Sequence, residues 1–307
     1  MARQAPALAC TSIPVPRGFD FARTALSHGW YALAPFSYDK ERGRLLRLLR
    51  LKDGTLVLCA LAGRNGAVDM EIAAHARLGD RRLRETTDQI RNCLRVDEDF
   101  APFHQEARKY PEFRWMARSG AGRLLRAPSA FEDVVKMICT TNCTWALTTL
   151  MVRNLVLIFG EPFNDSLHAF PTPESLAGSS ERTLRKDVKA GYRSPYILEL
   201  AEKVASRRLD VEAWRSSPKS TGELFEDMCT VKGLGPYAVG NIMKLMGRYD
   251  YLGLDSWVRS QFYTLHHGGR KVKDSTIERH YGKYGKWRGL FFWLEMTRRW
   301  HDDKFLL

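Results

Sequence analysis

The chain has 307 residues, enough for one large domain or two smaller ones, and a 44% apolar content with eight tryptophans excludes wholesale disorder. No apolar run approaches the roughly 18 residues that a helical membrane span needs. The net charge of +13 favours a polyanionic partner through counterion release, although a basic surface also serves plain solubility.

In chain order, residues 1–20 are proline-rich and read as frayed. Their apolar stretch is too short and too broken by proline for a signal peptide. Arg44–Leu61 is two β-compatible runs around Asp53-Gly54, a hairpin signal, and Val68–Ala73 is a further strand candidate. Residues 20–95 thus read as a small antiparallel sheet with one or two helices.

From about residue 100 the periodicity turns helical. Phe131, Val134, Val135 and Ile138 share a face, and Leu147, Leu150, Met151, Leu155 and Ile158 continue a stripe into Gly160. A short helix is expected after Pro171 and Pro173. Further helices are expected over Thr183–Val188 and Ser194–Val204, over Leu224–Val231 and Tyr237–Met246, and over Trp287–Trp300. No repeat or low-complexity linker divides the chain, and Gly268-Gly269 reads as a local basic loop. The expected division is an N-terminal α+β domain over 1–100 and a helical domain over 101–307.

Six cysteines are scattered at positions 10, 59, 93, 139, 143 and 229, with no CxxC pair. They read as reduced thiols in a cytoplasm-like compartment, and a four-cysteine iron–sulfur arrangement is absent. The basic residues do not line one face of an amphipathic helix, which argues against a membrane surface.

The segment Lys232-Gly233-Leu234-Gly235-Pro236 separates two apolar helical runs and is too short for anything but a tight helix–helix hairpin. Glycine permits positive φ and close backbone approach, and Pro236 suits a first helical turn. The N–H groups at such a helix start form an anion site, to which Lys232 adds charge. An ordinary helix–helix corner needs glycine as well, so the turn alone is weak. Asp255 follows Gly235 by twenty residues, in Leu252–Arg259 (LGLDSWVR).

With these residues the chain resembles the helix-hairpin-helix DNA glycosylases, whose hairpin is followed by a segment carrying a catalytic aspartate; Asp255 matches it. The likeness continues in order along the chain. Met137–Asn142 (MICTTN) is similar to the ICSSN segment of the 8-oxoguanine DNA glycosylases. Phe170–Pro173 with Leu176-Ala177 is similar to their FPS…LA, and Gly191–Tyr196 to their GYRA-x-Y. Residues from about 101 to 300 are covered. The resemblance implies a mostly α (α+β overall) helix-hairpin-helix glycosylase fold with a small N-terminal antiparallel β domain.

It also implies a chemistry. Breaking an N-glycosidic bond builds positive charge on the sugar, which a carboxylate at Asp255 would stabilise while orienting water. Asp255 is also a favoured cap for a helix starting near Ser256. Family members that cleave the strand carry a lysine two residues after the second hairpin glycine, where this chain has Tyr237. A Schiff base needs an amine, so the resemblance implies a monofunctional enzyme. Lys232 and Lys244 are the nearby amines, and Lys244 is expected about 10 Å from Tyr237.

The base must leave the stack. By resemblance Asn142 faces the opposite strand, Tyr192 wedges into the stack and Arg193 contacts the unpaired base. A family arginine that reads the opposite cytosine is Leu147 here. The base pocket would draw on Tyr237, Asn241 (a thiol in the family) and Trp293, with Phe292 as a competitor. Lys232, Gly233, Gly235, Trp257 and Arg259 complete the candidate DNA contacts, and residues 259–299 carry ten Lys/Arg against three Asp/Glu.

The expected protein is therefore a monomeric base-excision enzyme acting on double-stranded DNA, without membrane, metal or organic cofactor, in a nucleoid-associated cytoplasm or a nucleus. A structural cation held by hairpin carbonyls is compatible with this. Candidate substrates are an oxidised guanine, an alkylated purine or an altered pyrimidine. The alternatives are a non-catalytic DNA-binding module and a bifunctional lyase using another amine.

Overall fold

The structure, a computed structural model, describes residues 7–301. Its first element corrects an expectation. Rather than fraying, strand β1 (Ala7–Pro14) pairs along its whole length with β5 (Ala67–Ala74). It is an edge strand with mostly exposed side chains, and Pro14 is tolerated at its end, where no inner ladder bond is lost. Residues 1–6 of that stretch lie outside the described residues.

Helix α1 (Phe21–Ala25), β2 (Phe36–Asp39), β3 (Arg44–Arg50) and β4 (Leu56–Arg64) come between. The five strands run antiparallel in the order β1-β5-β4-β3-β2. The β3–β4 turn falls at Asp53-Gly54, where Asp53 accepts from the Thr55 N–H at 2.9 Å and Gly54 has φ +85. Two residues, Asn65-Gly66, join β4 to β5. Leu45, Leu49, Val57, Cys59, Leu61, Met70 and Ile72 are buried in one core.

Helix α2 (Asp80–Leu94) follows the sheet, and α3 (Ala101–Arg108) and α4 (Arg114–Arg118) lead into the helical body. That body contains α5 (Ala130–Thr140), α6 (Trp145–Phe159), α7 (Pro173–Ala177), α8 (Glu181–Lys186), α9 (Ser194–Ala205), α10 (Thr221–Cys229) and α11 (Pro236–Leu245). It closes with α12 (Ser256–His267), α13 (Asp274–Gly282) and α14 (Arg288–Met296). Serine and threonine start many of these helices: Ser129, Thr144, Thr172 and Ser180 each cap one, and Ser220 forms a capping box with Glu223.

The expected last helix is shorter than its apolar pattern. Helix α14 ends at Met296, and a 3-10 turn over Arg298–His301 follows. The Thr297 hydroxyl donates to the Trp293 carbonyl at 2.7 Å, satisfying a group at the helix end.

Two apolar clusters hold the molecule. One joins the sheet and α2 to residues 124–246. The other joins residues 100–121 to residues 249–296. Helix α5 runs through the first cluster and is buried on every side from Ala130 to Cys139. Its charges are therefore paired. Arg47 of β3 meets Glu132 with two bonds of 2.7 Å, and Lys136 meets the same carboxylate at 2.7 Å. Asp133 accepts from Trp30 Nε1 at 2.8 Å and from Arg215 at 3.0 Å. Among the described residues no helix is long and apolar enough to cross a membrane.

Candidate active site

Helices α10 and α11 form the expected hairpin. Gly233 sits at φ +89, where a side chain would be strained and would meet the Tyr196 ring at 3.0 Å. Gly235 has extended backbone, φ −83, with open space where a Cβ would stand. Its bareness therefore serves access rather than backbone twist. It caps α11 without a side chain, so the first-turn N–H groups stay available to an anion. The other end of α11 is closed by guanidinium groups: Arg95 donates to the Lys244 carbonyl and Arg126 to the Leu245 carbonyl, each at 3.0 Å. Lys232 is exposed and pairs with Glu199 at 2.8 Å.

The chain leaving α11 returns along it. A Cβ on Gly240 would lie 3.0 Å from the Gly253 backbone, so only glycine lets the two segments approach this closely. Buried Lys244 ties them together, donating to Gly240 O at 3.2 Å, Leu252 O at 2.6 Å and Asn241 Oδ1 at 3.1 Å. This fastening delivers Asp255, which caps α12 by accepting from the Val258 N–H at 2.8 Å. The Tyr237 side chain shares the cavity wall with Asp255 and Thr140. Burial first, and then the Asp255 charge, push its phenol up to about 12, so it stays protonated. Burial pushes the Lys244 ammonium down to about 7, against the pull of Asp255 and the three oxygens it touches.

Asp255, Tyr237, Asn241, Lys244, Trp257 and Trp293 line one cavity of about 630 Å³. Asn241 is held on both ends of its amide: Nδ2 donates to Tyr237 O at 2.9 Å, and Oδ1 accepts from Lys244. Trp257 stacks on Trp300 with 5.3 Å between centroids, and Trp300 meets Trp293 edge-on at 5.9 Å. Trp293 Nε1 donates to Ser27 O at 3.3 Å.

Phe292 does not belong here. It is fully buried in the second apolar cluster against the Tyr281 ring, 5.1 Å away. One step along a helix turns a side chain by about 100°, so Trp293 and Phe292 face different sides.

Much of the remaining wall was not anticipated. His28, Trp30, Tyr31, Tyr38 and Lys40 come from the N-terminal part, and Trp145 from the start of α6. His28 donates from Nε2 to the Leu125 carbonyl at 2.6 Å, and burial holds its imidazole down at about 4, neutral at physiological pH. The one local sign was the density of aromatics in His28–Tyr31, which placed no residue at a site without the tertiary fold.

Asn142 and Tyr192 stand at the rim. Asn142 is exposed at φ +46 just after α5, between the cavity-lining Thr140 and Cys143. The half-exposed Tyr192 hydroxyl lies 3.3 Å from that of Thr141. Arg193 packs on the Tyr192 ring. It is 4% exposed and donates to the Thr141 carbonyl and hydroxyl, with its guanidinium 4.4 Å from the Tyr192 ring. It braces the Thr141 backbone and hydroxyl through Nη2 and Nε. Arg259 points across to α13 and meets Asp274 with two bonds of 2.8 Å.

The chain is similar to known proteins in sequence and in fold. The family profile described as HhH-GPD superfamily base excision DNA repair protein matches residues 135–286. A probable N-glycosylase/DNA lyase of Methanothermobacter thermautotrophicus is 26% identical over 273 residues, covering 79% of this chain and 84% of that protein. The 3-methyladenine DNA glycosylase from Archaeoglobus fulgidus superposes with a TM-score of 0.69 at 15% identity, covering 95% of this chain and 98% of that one. The apo-form of the Clostridium acetobutylicum 8-oxoguanine glycosylase/lyase gives 0.66 at 16% identity, covering 96% and 99%. At these identities the two structures show a shared fold, and their near-equal scores favour neither printed substrate.

Proposed function

From the premise that this chain belongs to the HhH-GPD superfamily of base excision DNA glycosylases, we propose that it removes its base by hydrolysis and leaves the abasic strand uncut. The observation that carries this is the Asp255–Tyr237 pair on the cavity wall. Strand cleavage by imine chemistry needs an amine, and the phenol at Tyr237 supplies none.

In the proposed reaction the start of α11, with Gly233 and Gly235, holds a backbone phosphate of duplex DNA. Asn142 and Tyr192 occupy the gap left by a base swung into the cavity. The C1′–N bond breaks with its electron pair leaving on the base. The Asp255 carboxylate stabilises the cationic sugar. Water adds to C1′ and passes a proton to Asp255. The Tyr237 hydroxyl keeps the carboxylate aimed at C1′, and the tryptophan walls stack the extruded base.

Duplex oligonucleotides, each carrying one oxidised, alkylated or deaminated base, test this by free-base release. Release from at least one duplex, lost in Asp255→Asn, supports the reading, whereas binding without release from any of them favours a DNA-binding module.

One observation favours a second reading. Lys244 is a cavity-wall amine held near about 7, and the Methanothermobacter relative is named a lyase. Borohydride added during turnover separates the two. Hydrolysis predicts no covalent protein–DNA adduct, and an adduct that disappears in Lys244→Met would establish the lyase.

A further inference from the structure

We propose that His266, His280 and Glu295 form a zinc(II) site that clamps the three C-terminal helices together, outside the cavity. The residues come from α12, α13 and α14, are partly buried, and bring one ligand atom each to within 4.8 Å of the others. Two imidazoles and a carboxylate are a donor set that suits zinc.

The geometry fits with little movement. Zinc–ligand bonds of about 2.0–2.2 Å in a tetrahedron place neighbouring donors about 3.3–3.5 Å apart. His266 Nε2 and Glu295 Oε1 are 3.4 Å apart. The ring centroids of His266 and His280 lie 4.4 Å apart, and a water would take the fourth position on the ion.

Two further observations point to an ion. His266 Nε2 is buried and makes no hydrogen bond, although a carboxylate oxygen lies beside it. A misaligned N–H there wastes a donor, and a bare lone pair there repels the oxygen; a cation between the two resolves both. The Tyr281 hydroxyl donates to Glu295 Oε2, which orients the carboxylate with Oε1 toward the histidines, as outer partners of metal ligands do. The Phe262 ring packs against His266 at 4.7 Å and His280 at 5.4 Å, limiting water on that side.

The ion would not touch the reaction. His266 lies eleven residues beyond Asp255 along α12, about 16 Å at helical rise. The clamp instead fixes the helix that starts at Asp255 against the helix that carries Trp293. It stands whether or not the hydrolytic reading does.

The test uses chelator-treated full-length protein carrying Cys10→Ser, which removes the exposed thiol, titrated with Zn(II) and separately with Co(II). The expected result is saturation at one equivalent, Co(II) ligand-field bands without a thiolate charge-transfer band, and a higher unfolding midpoint with Zn(II). His266→Gln and His280→Gln should each bind at least about ten-fold more weakly. No saturable binding, undiminished binding in both His266→Gln and His280→Gln, or a thiolate band overturns the proposal. If those variants do not fold, X-ray absorption on the Zn(II)-loaded protein decides: two imidazoles with a carboxylate support the site, and sulfur or an all-oxygen shell overturns it.

Discussion

Asp255 and Tyr237 share the cavity wall, and substitution separates what each contributes. Asparagine caps helices as well as aspartate does, so Asp255→Asn should keep the unfolding midpoint while removing the charge. Single-turnover base release should fall by about 10²–10³-fold, in the range of other lost electrostatic contacts to a transition state. Tyr237→Phe keeps the ring and removes the hydroxyl; a fall of roughly ten-fold or more is expected in the same assay. Tyr237→Lys places an amine beside Asp255. Borohydride should then trap a protein–DNA adduct that the unaltered chain does not form, and failure to trap would show that the position alone does not confer lyase chemistry. Asp255 and Tyr237 were legible because motif and spacing carried them. The fastening by Lys244 was not, because its three acceptors lie on two segments whose close approach depends on Gly240 and Gly253.

Helix α5 shows what burial does to an element whose pattern looks amphipathic. Its apolar face was readable from Phe131, Val134, Val135 and Ile138. Its remaining positions carry the charged Glu132, Asp133 and Lys136, and all three are buried. Their partners Arg47, Trp30 and Arg215 come from distant parts of the chain, so no local pattern could announce them. Removing one member leaves buried charge uncompensated. Glu132→Ala should destabilise the fold by about 3–5 kcal/mol, measured by urea unfolding, and a smaller loss would mean that the site relaxes or takes up water. The hairpins at Asp53-Gly54 and at Gly233–Gly235 were legible for the opposite reason, since each is set by residues adjacent in sequence.

At the scale of the molecule, His28 couples the cavity wall to acid stability. Its imidazole is held at about 4 in the folded chain, below the ordinary value of 6.5 that it regains on unfolding. Between those values the unfolded chain binds a proton that the folded one does not, so stability rises with pH across the window and is lost as pH falls from about 6.5 toward 4. The loss should reach roughly 2–3 kcal/mol. Above about 6.5 this residue contributes no pH dependence. Unfolding measured at pH 7 and pH 4.5 should show a smaller difference in His28→Gln than in the unaltered chain, and equal differences would assign the acid sensitivity elsewhere.

The loop that holds His28 and Trp30 meets the helical body at the cavity, where Ser27 accepts from Trp293. One face of the chamber is thus upholstered by a segment more than 200 residues upstream of Asp255. On the hydrolytic reading, exchanging the side chains of residues 26–31 should alter which base enters the chamber more than it alters the carboxylate that assists the bond's breakage, because that wall and Asp255 belong to separate stretches of chain.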